Sequence, residues 1–429
     1  MRRAEHPISR RDIDHDALKV LNRLHRLGFT AYLCGGAVRD LMLGRTPKDF
    51  DIVTDARPGQ IRKRFANAFL IGRRFRLAHV RFQGGKVIEV ATFRKTPLPP
   101  ADNGCENAVD SPESSESPAS AEAPSSPGPP AAPDIYGTPR EDAFRRDVTI
   151  NALFYNIADF SVIDYVGGLE DIAGRRIRVI GDPGERFAED PVRVWRVVRH
   201  AARIGFDIDE ATALAIPGFR PLLTGCSGAR LYEELNKDLK TAFPPVFDAL
   251  RNWGLLRYVL GKAGEAYEAD SALFARLRAL LAVAAREAAA GRPFSLEEMH
   301  ALLFQPWLEP RVTGAAGDVV AVLNEALMEA QTGATIPRTM RAGAVQILSI
   351  AAALHRALRT GRMRASLRNR AHFQPAARLC FLFEKSRLPE DGESFDRLFA
   401  EVRPSAPRPV RRRRRRKPGP KPPDGNTDP

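Results

Sequence analysis

The chain of 429 residues is 44% hydrophobic and carries 66 Lys or Arg against 52 Asp or Glu, a net charge of +14. It is long enough for two or three domains with sizeable cores, and no apolar run approaches the roughly 20 residues that cross a bilayer, which argues against an integral membrane segment. Cys34, Cys105, Cys226 and Cys380 show neither a CxxC pair nor a histidine at metal spacing, which argues against a disulfide framework and a zinc site.

The opening MRRAEHPISRRD has charges with no apolar stretch behind them, so a cytoplasmic location is expected rather than secretion. An amphipathic helix is predicted over about Asp14 to Leu27, where Leu18, Leu21, Leu24 and Leu27 recur at helical spacing before Gly28. The strand TAYLCGG follows, then a helix around Val38 to Leu43, the strand DFDIVT and a helix near Pro58 to Phe65. Two strands, RLAHVRF and KVIEVATFR, come next, and the wider segment LIGRRFRLAHVRF, residues 70 to 82, alternates basic and apolar residues as on a strand. This alternation predicts a small α+β domain.

Residues 96–133 collapse to Pro, Ser, Ala and Glu with no Lys or Arg, a composition that cannot bury enough apolar surface to offset its ordering entropy; we read them as a disordered insertion. Order returns at REDAFRRDVTINALFYN, whose RRDVTINAL stretch is read as the start of an apolar helix. Beyond about Pro183 the strand signal fades into Ala-, Leu- and Arg-rich helical segments up to about Arg387, without an internal repeat. Residues 403–429 hold ten Lys or Arg against Asp424 and Asp428, a net of +8 that leaves +6 for the remainder. Both parts are basic, and a polyanion such as nucleic acid is the partner that such a balance suits.

Asp49 and Asp51, two apart on the predicted strand, would share one face. That pair is either a solvated acidic strand end or a site for divalent cations, with Glu89 on a neighbouring strand as a third carboxylate. Gly35 and Gly36 lie between a strand and a helix, and form either a tight turn or a nest of backbone N–H groups for a phosphate. Arg145, Arg146, Asp147 and Asn151 mix donors and acceptors suited to ribose and triphosphate, although Asp147 could equally cap a helix. Asp190 ahead of Pro191 fits an N-cap, and it also stands three residues from Arg193, a spacing at which acceptor and donor could read a base edge. Arg73, Arg74 and Arg76 could serve RNA or triphosphate, while His79 alone reads as a packed histidine. The run including Arg411, Arg412 and Arg413 is either a nonspecific polyanion contact or a solvated tail.

Taken in order, GGAVRD, DFD, IEVATFR, RRDVTINAL, YVGGLEDI, EDPVRVWRVVR and SGARLYEEL resemble the motif series of class II nucleotidyltransferases, the group of CCA-adding tRNA nucleotidyltransferases and bacterial poly(A) polymerases. The match covers about Ile8 to Leu239, and LIGRRFRLAHV, HPISRRDI and the basic tail are similar to the poly(A) polymerase branch. The resemblance implies an α+β fold: a small head domain with a mixed sheet over residues 1–180, a helical neck over 181–245, a helical body and RNA-binding region over 246–400 and a disordered Arg-rich tail over 401–429. It implies Asp49 and Asp51 as metal-binding carboxylates, with Glu89 at the third acidic position, for two-metal transfer of AMP from ATP to RNA 3′ ends with release of pyrophosphate. Gly35, Gly36, Arg39, Arg145, Arg146, Asp147 and Asn151 fall in its nucleotide motifs. Glu189, Asp190, Arg193 and Arg196 match its nucleotide-selecting helix, and Arg230 with Glu233 the motif that supports it.

Mg²⁺ or Mn²⁺ is the expected cofactor, ATP and RNA 3′ ends the expected ligands, RNA-decay proteins the candidate partners and a monomer the expected state. Two alternatives remain open on the residues: CCA addition to tRNA, and a noncatalytic RNA-binding protein that keeps the fold. The latter has no need of Asp49, Asp51 and Glu89 together, and a phosphate hydrolase lacks support because no metal-ligating His cluster is evident in the sequence.

Overall fold

The computed structural model describes residues 1–72, 76–95, 135–241, 243–313, 317–360, 363 and 365–387. The predicted insertion, Arg73, Arg74 and the tail with Arg411, Arg412 and Arg413 lie outside the described residues. Two compact units are present: Met1–Ala285 with Leu327–Ile336, and Arg286–Ala326 with the chain from Pro337 onward.

The first unit opens with helix α1 (His15–Arg26), started by Asp14, whose Oδ1 accepts from the N–H groups of Asp16 and Ala17 at 2.9 and 3.2 Å. Strand β1 (Ala31–Cys34), helix α2 (Gly36–Met42), strand β2 (Asp51–Thr54), helix α3 (Pro58–Arg64) and strands β3 (Ala68–Ile71), β4 (Leu77–Arg81) and β5 (Val87–Thr92) follow. After the insertion come helix α4 (Pro139–Phe144), strands β6 (Phe154–Tyr155) and β7 (Val162–Ile163), helix α5 (Gly168–Ala173) and strand β8 (Arg176–Ile177). Helices α6 (Pro183–Glu189) and α7 (Val192–Ile204), strand β9 (Asp207–Ile208), and helices α8 (Glu210–Phe219) and α9 (Gly228–Thr241) lead into further helices up to Ala289.

Seven strands form one mixed sheet in the order β3-β4-β5-β2-β1-β6-β7, parallel between β2 and β5 and antiparallel elsewhere; β8 and β9 form a separate parallel pair. The alternation of side chains sends Ile52, Ala68, Ala78, Val80, Ile88 and Val90 into a core shared with Val20, Leu21 and Leu24 of α1 and Ile61 of α3. Replacing one such buried leucine by alanine would cost about 2–5 kcal/mol. The opposite face is covered near its middle by a smaller cluster of Cys34, Val53, Phe93 and Phe154. Between them, these packings leave the start of β2 open, which is where the acidic residues lie. In the second unit, the helices Leu296–Thr313, Arg338–Thr360 and Phe373–Arg387 bury Leu302, Leu303, Phe304, Ile347, Ile350, Leu379 and Leu382.

Three expectations need correction. The strand expected at RLAHVRF is β4, but the wider alternation over residues 70–82 spans two antiparallel strands, because β3 ends at Ile71 ahead of Gly72, whose φ of +97° suits glycine. The stretch RRDVTINAL starts no apolar helix. Its β-branched Val148 bridges Val179, Thr149–Asn151 make a single 3₁₀ turn, and the apolar residues that follow enter β6. Asp49 precedes β2, which begins at Asp51, so one strand's pleat does not fix the aspartate pair.

Candidate active site

Ile52 of β2 lies opposite Val90 of β5 in the parallel register, which places Asp51 and Glu89, one step earlier on each strand, side by side on the same sheet face. Asp51 keeps solvent access. The protein packed behind its carboxyl, and then the negative charges of Glu89 and Asp49, push that carboxyl up to about 6, with Arg146 opposing. Glu89 in turn faces His79 on β4, with His79 Nε2 at 3.2 Å from Glu89 Oε1.

Among the described residues no three histidine, cysteine, aspartate or glutamate side chains are grouped closely enough to hold a metal ion. The donor chemistry nevertheless fits a hard divalent cation. Asp49 and Asp51 offer only carboxylate oxygens from the exposed side, and the nearest sulfur, Cys34, is buried with its thiol pushed up to about 11 by burial.

Gly35, with φ +70° and ψ −135°, ends β1 and precedes α2. A Cβ there would lie 3.2 Å from Arg146 Nη1. Its N–H donates to the Leu153 carbonyl at 3.1 Å, so this group of the expected phosphate nest is already engaged. Gly36 is the first residue of α2. From the same helix Arg39 donates to Asn151 Oδ1 at 2.6 Å and to Asp40 Oδ1 at 2.9 Å. Arg146 reaches the same point from the other side: it donates to the Asn151 carbonyl at 3.0 Å and to Asp142 Oδ2 at 2.9 Å, and lies 5.2 Å over the Phe154 ring. Asp142 is fully buried and also accepts from Arg145 at 2.9 Å.

Asp147 caps no helix; it joins this region to α7. Its Oδ1 accepts from Arg193 Nε at 3.0 Å and its Oδ2 from Arg196 Nη1 at 2.9 Å, and despite burial these cations hold its carboxyl below the usual range. Asp190 and Arg193 do not meet as an acceptor and donor pair. Asp190 Oδ1 accepts from the Val192 N–H at 3.2 Å, as expected of a cap, and its Oδ2 accepts from Arg230 at 2.8 Å, whereas Arg193 also donates to Glu189 at 2.8 Å. Glu233 is exposed; its neighbour Glu234, only 2% exposed, is the residue that receives Arg196 at 2.9 Å together with Arg199 and Lys237. Asp238, one turn on, accepts from Trp195 Nε1 at 2.8 Å and is pushed up to about 6, chiefly by burial.

Sequence reasoning missed Arg186. Its Nη2 donates to the carbonyls of both Arg145 and Arg146, at 2.9 and 3.0 Å, and its Nη1 to Glu189 at 2.8 Å, which ties α6 to the RRD segment. Asp142 was missed as well, although its spacing of three and four residues from Arg145 and Arg146 is a readable signal. Arg76 is exposed just before β4.

A family model described as "Poly A polymerase head domain" matches residues 31–178, and one described as "Probable RNA and SrmB- binding site of polymerase A" matches 205–264. Poly(A) polymerase I of Salmonella typhimurium is 48% identical over 238 residues, 56% of this chain and 48% of its own length. The chain therefore spans about half the length of that relative. The CCA-adding enzyme of Geobacillus kaustophilus is 31% identical over 352 residues, 82% of this chain and 78% of its own. The crystal structure of the Bacillus stearothermophilus CCA-adding enzyme in complex with CTP is similar with a TM-score of 0.58 at 26% identity, over 90% of this chain and 82% of that one.

Proposed function

The chain belongs to the nucleotidyltransferase family of the poly(A) polymerases and CCA-adding enzymes, and from that premise we propose that it adds AMP from ATP to RNA 3′ ends without a template. The observation that carries nucleotidyl transfer is the alignment of Asp51 with Glu89 at the open end of β2, beside the Gly35 turn. Adenylate over CCA addition is supported by the 48% identity to poly(A) polymerase I, against 31% to the CCA-adding enzyme.

Asp49 and Asp51 would hold Mg²⁺. Bound there, the cation supplies neutralisation of phosphate charge and lowers the pKa of the RNA 3′-hydroxyl. The chain's own part is orientation: Asn151, gripped by Arg39 and Arg146, fixes the floor on which the nucleotide rests. Asp147 holds Arg193 and Arg196 in one arrangement, and the Asp190–Arg230 pair presents polar atoms to the base. The 3′-hydroxyl gives up its proton to solvent and its oxygen bonds to the α-phosphorus as the bond to the β-phosphate breaks and pyrophosphate leaves, with no covalent bond to the protein.

Asp49→Ala tests this reading. It is expected to abolish AMP incorporation while RNA binding persists, and an active variant would remove the carboxylate from the mechanism. CCA addition is the second reading, favoured by the longer alignment with the CCA-adding enzyme.

A further inference from the structure

The sheet face that carries Asp51 continues past Glu89 to the edge of the sheet. Phe69 of β3 is directly opposite His79 of β4, and His79 is opposite Glu89 of β5, so Phe69, His79, Glu89 and Asp51 form one row across four strands. At adjacent-strand spacings of about 4.8 Å, β3 lies roughly 14 Å from β2. Phe69 is 44% exposed and Ile71 43%, both on the edge strand. The exposed Arg81 of β4 lays its guanidinium carbon 4.4 Å from the centre of the Phe69 ring.

Apolar side chains on an open edge strand favour unwanted association unless a partner uses them. A guanidinium stacked on an aromatic ring offers a flat surface to a nucleobase and a charge to its phosphate, the combination by which single-stranded RNA is held without sequence preference. The strip offers one guanidinium, Arg81, on the Phe69 ring, and shares its sheet face with Asp51 and Glu89, where an RNA 3′ end would react; a stacked base with its phosphate at Arg81 fits that continuity better than an apolar protein surface.

We propose that Phe69 and Arg81 form a stacking platform for single-stranded RNA a few nucleotides before its 3′ end. The proposal rests on the nucleotidyltransferase reading above for the direction of the strand.

The test uses the full chain with an unstructured RNA oligonucleotide, and measures the RNA Kd by fluorescence anisotropy and the KM values for RNA and ATP. Phe69→Ala is expected to raise the RNA Kd and RNA KM about 5- to 150-fold, the range for losing one stacked base, while the ATP KM moves less than about twofold. Phe69→Trp should restore RNA binding. Unchanged RNA Kd and KM would overturn the platform, and so would an equal rise in both KM values, which a merely structural role would give. Should Phe69→Ala fail to fold, Arg81→Ala carries the same expectations, because that side chain is exposed. Wild-type protein that binds RNA through Phe69 yet adds no nucleotide would overturn the enzymatic reading and leave the platform standing.

Discussion

Arg230, on α9, donates to Asp190 Oδ2 at 2.8 Å, a bond between residues forty positions apart that ties the start of α7 to the helix behind it. The Arg230 side chain is 47% exposed, so the pair adds well under about 1 kcal/mol to stability. Its value lies in fixing the direction in which Asp190 points. Arg230→Ala should leave the melting temperature nearly unchanged and lower the preference for ATP over CTP and GTP about tenfold, because polar atoms aimed at a base discriminate only when held in place. Single-nucleotide incorporation rates with each NTP check this; unchanged preference would show that Asp190 needs no such support.

Glu234 is a matter of stability. Its burial opposes ionisation, but Arg199, Arg196 and Lys237 outweigh that and hold its carboxyl at about 2, below the ordinary 4.5. A depressed acid stabilises the fold above the unfolded value and loses that contribution as pH falls through the folded one. Glu234→Gln should therefore cost roughly 3 kcal/mol at neutral pH, and the deficit should shrink as pH falls from about 4.5 towards 2. Denaturant unfolding of both proteins across that window measures it. A deficit independent of pH would mean that packing rather than charge is lost.

Gly35 combines a φ of +70° with a close approach to Arg146 Nη1. Gly35→Ala is expected to cost about 1–3 kcal/mol from backbone strain alone. It should also displace Arg146 from Asn151 and raise the ATP KM. Thermal unfolding and ATP titration separate the two effects; a variant with unaltered ATP KM would detach Arg146 from nucleotide positioning.

Local features of this fold were legible in the sequence, and most relationships across it were not. The extent and leucine spacing of α1 are properties of residues near one another in the chain, as is the proximity of Asp49 to Asp51. Glu89 was expected on a strand neighbouring the aspartate pair and stands there, although the parallel register of β2 and β5 that sets it beside Asp51 is encoded by no spacing along the chain. The strand RLAHVRF was read where β4 lies, but β3 was not set apart from it, because the alternation of basic and apolar residues runs on past Gly72 in the sequence. In α9 the motif reading favoured Glu233, but the helix turns Glu234 inward to Arg196 and Arg199, and only the packing decides between neighbours. Arg186 was overlooked because its partners are backbone carbonyls about forty residues earlier, which carry no sequence signal.

Primer extension with Mg²⁺ and each NTP separately, on an unstructured RNA and on a tRNA lacking its terminal CCA, tests the proposed activity most directly. The account predicts long tails from ATP on both RNAs, and their loss in Asp51→Asn with RNA still bound. Use of CTP followed by ATP on the tRNA alone, stopping at CCA, would contradict it.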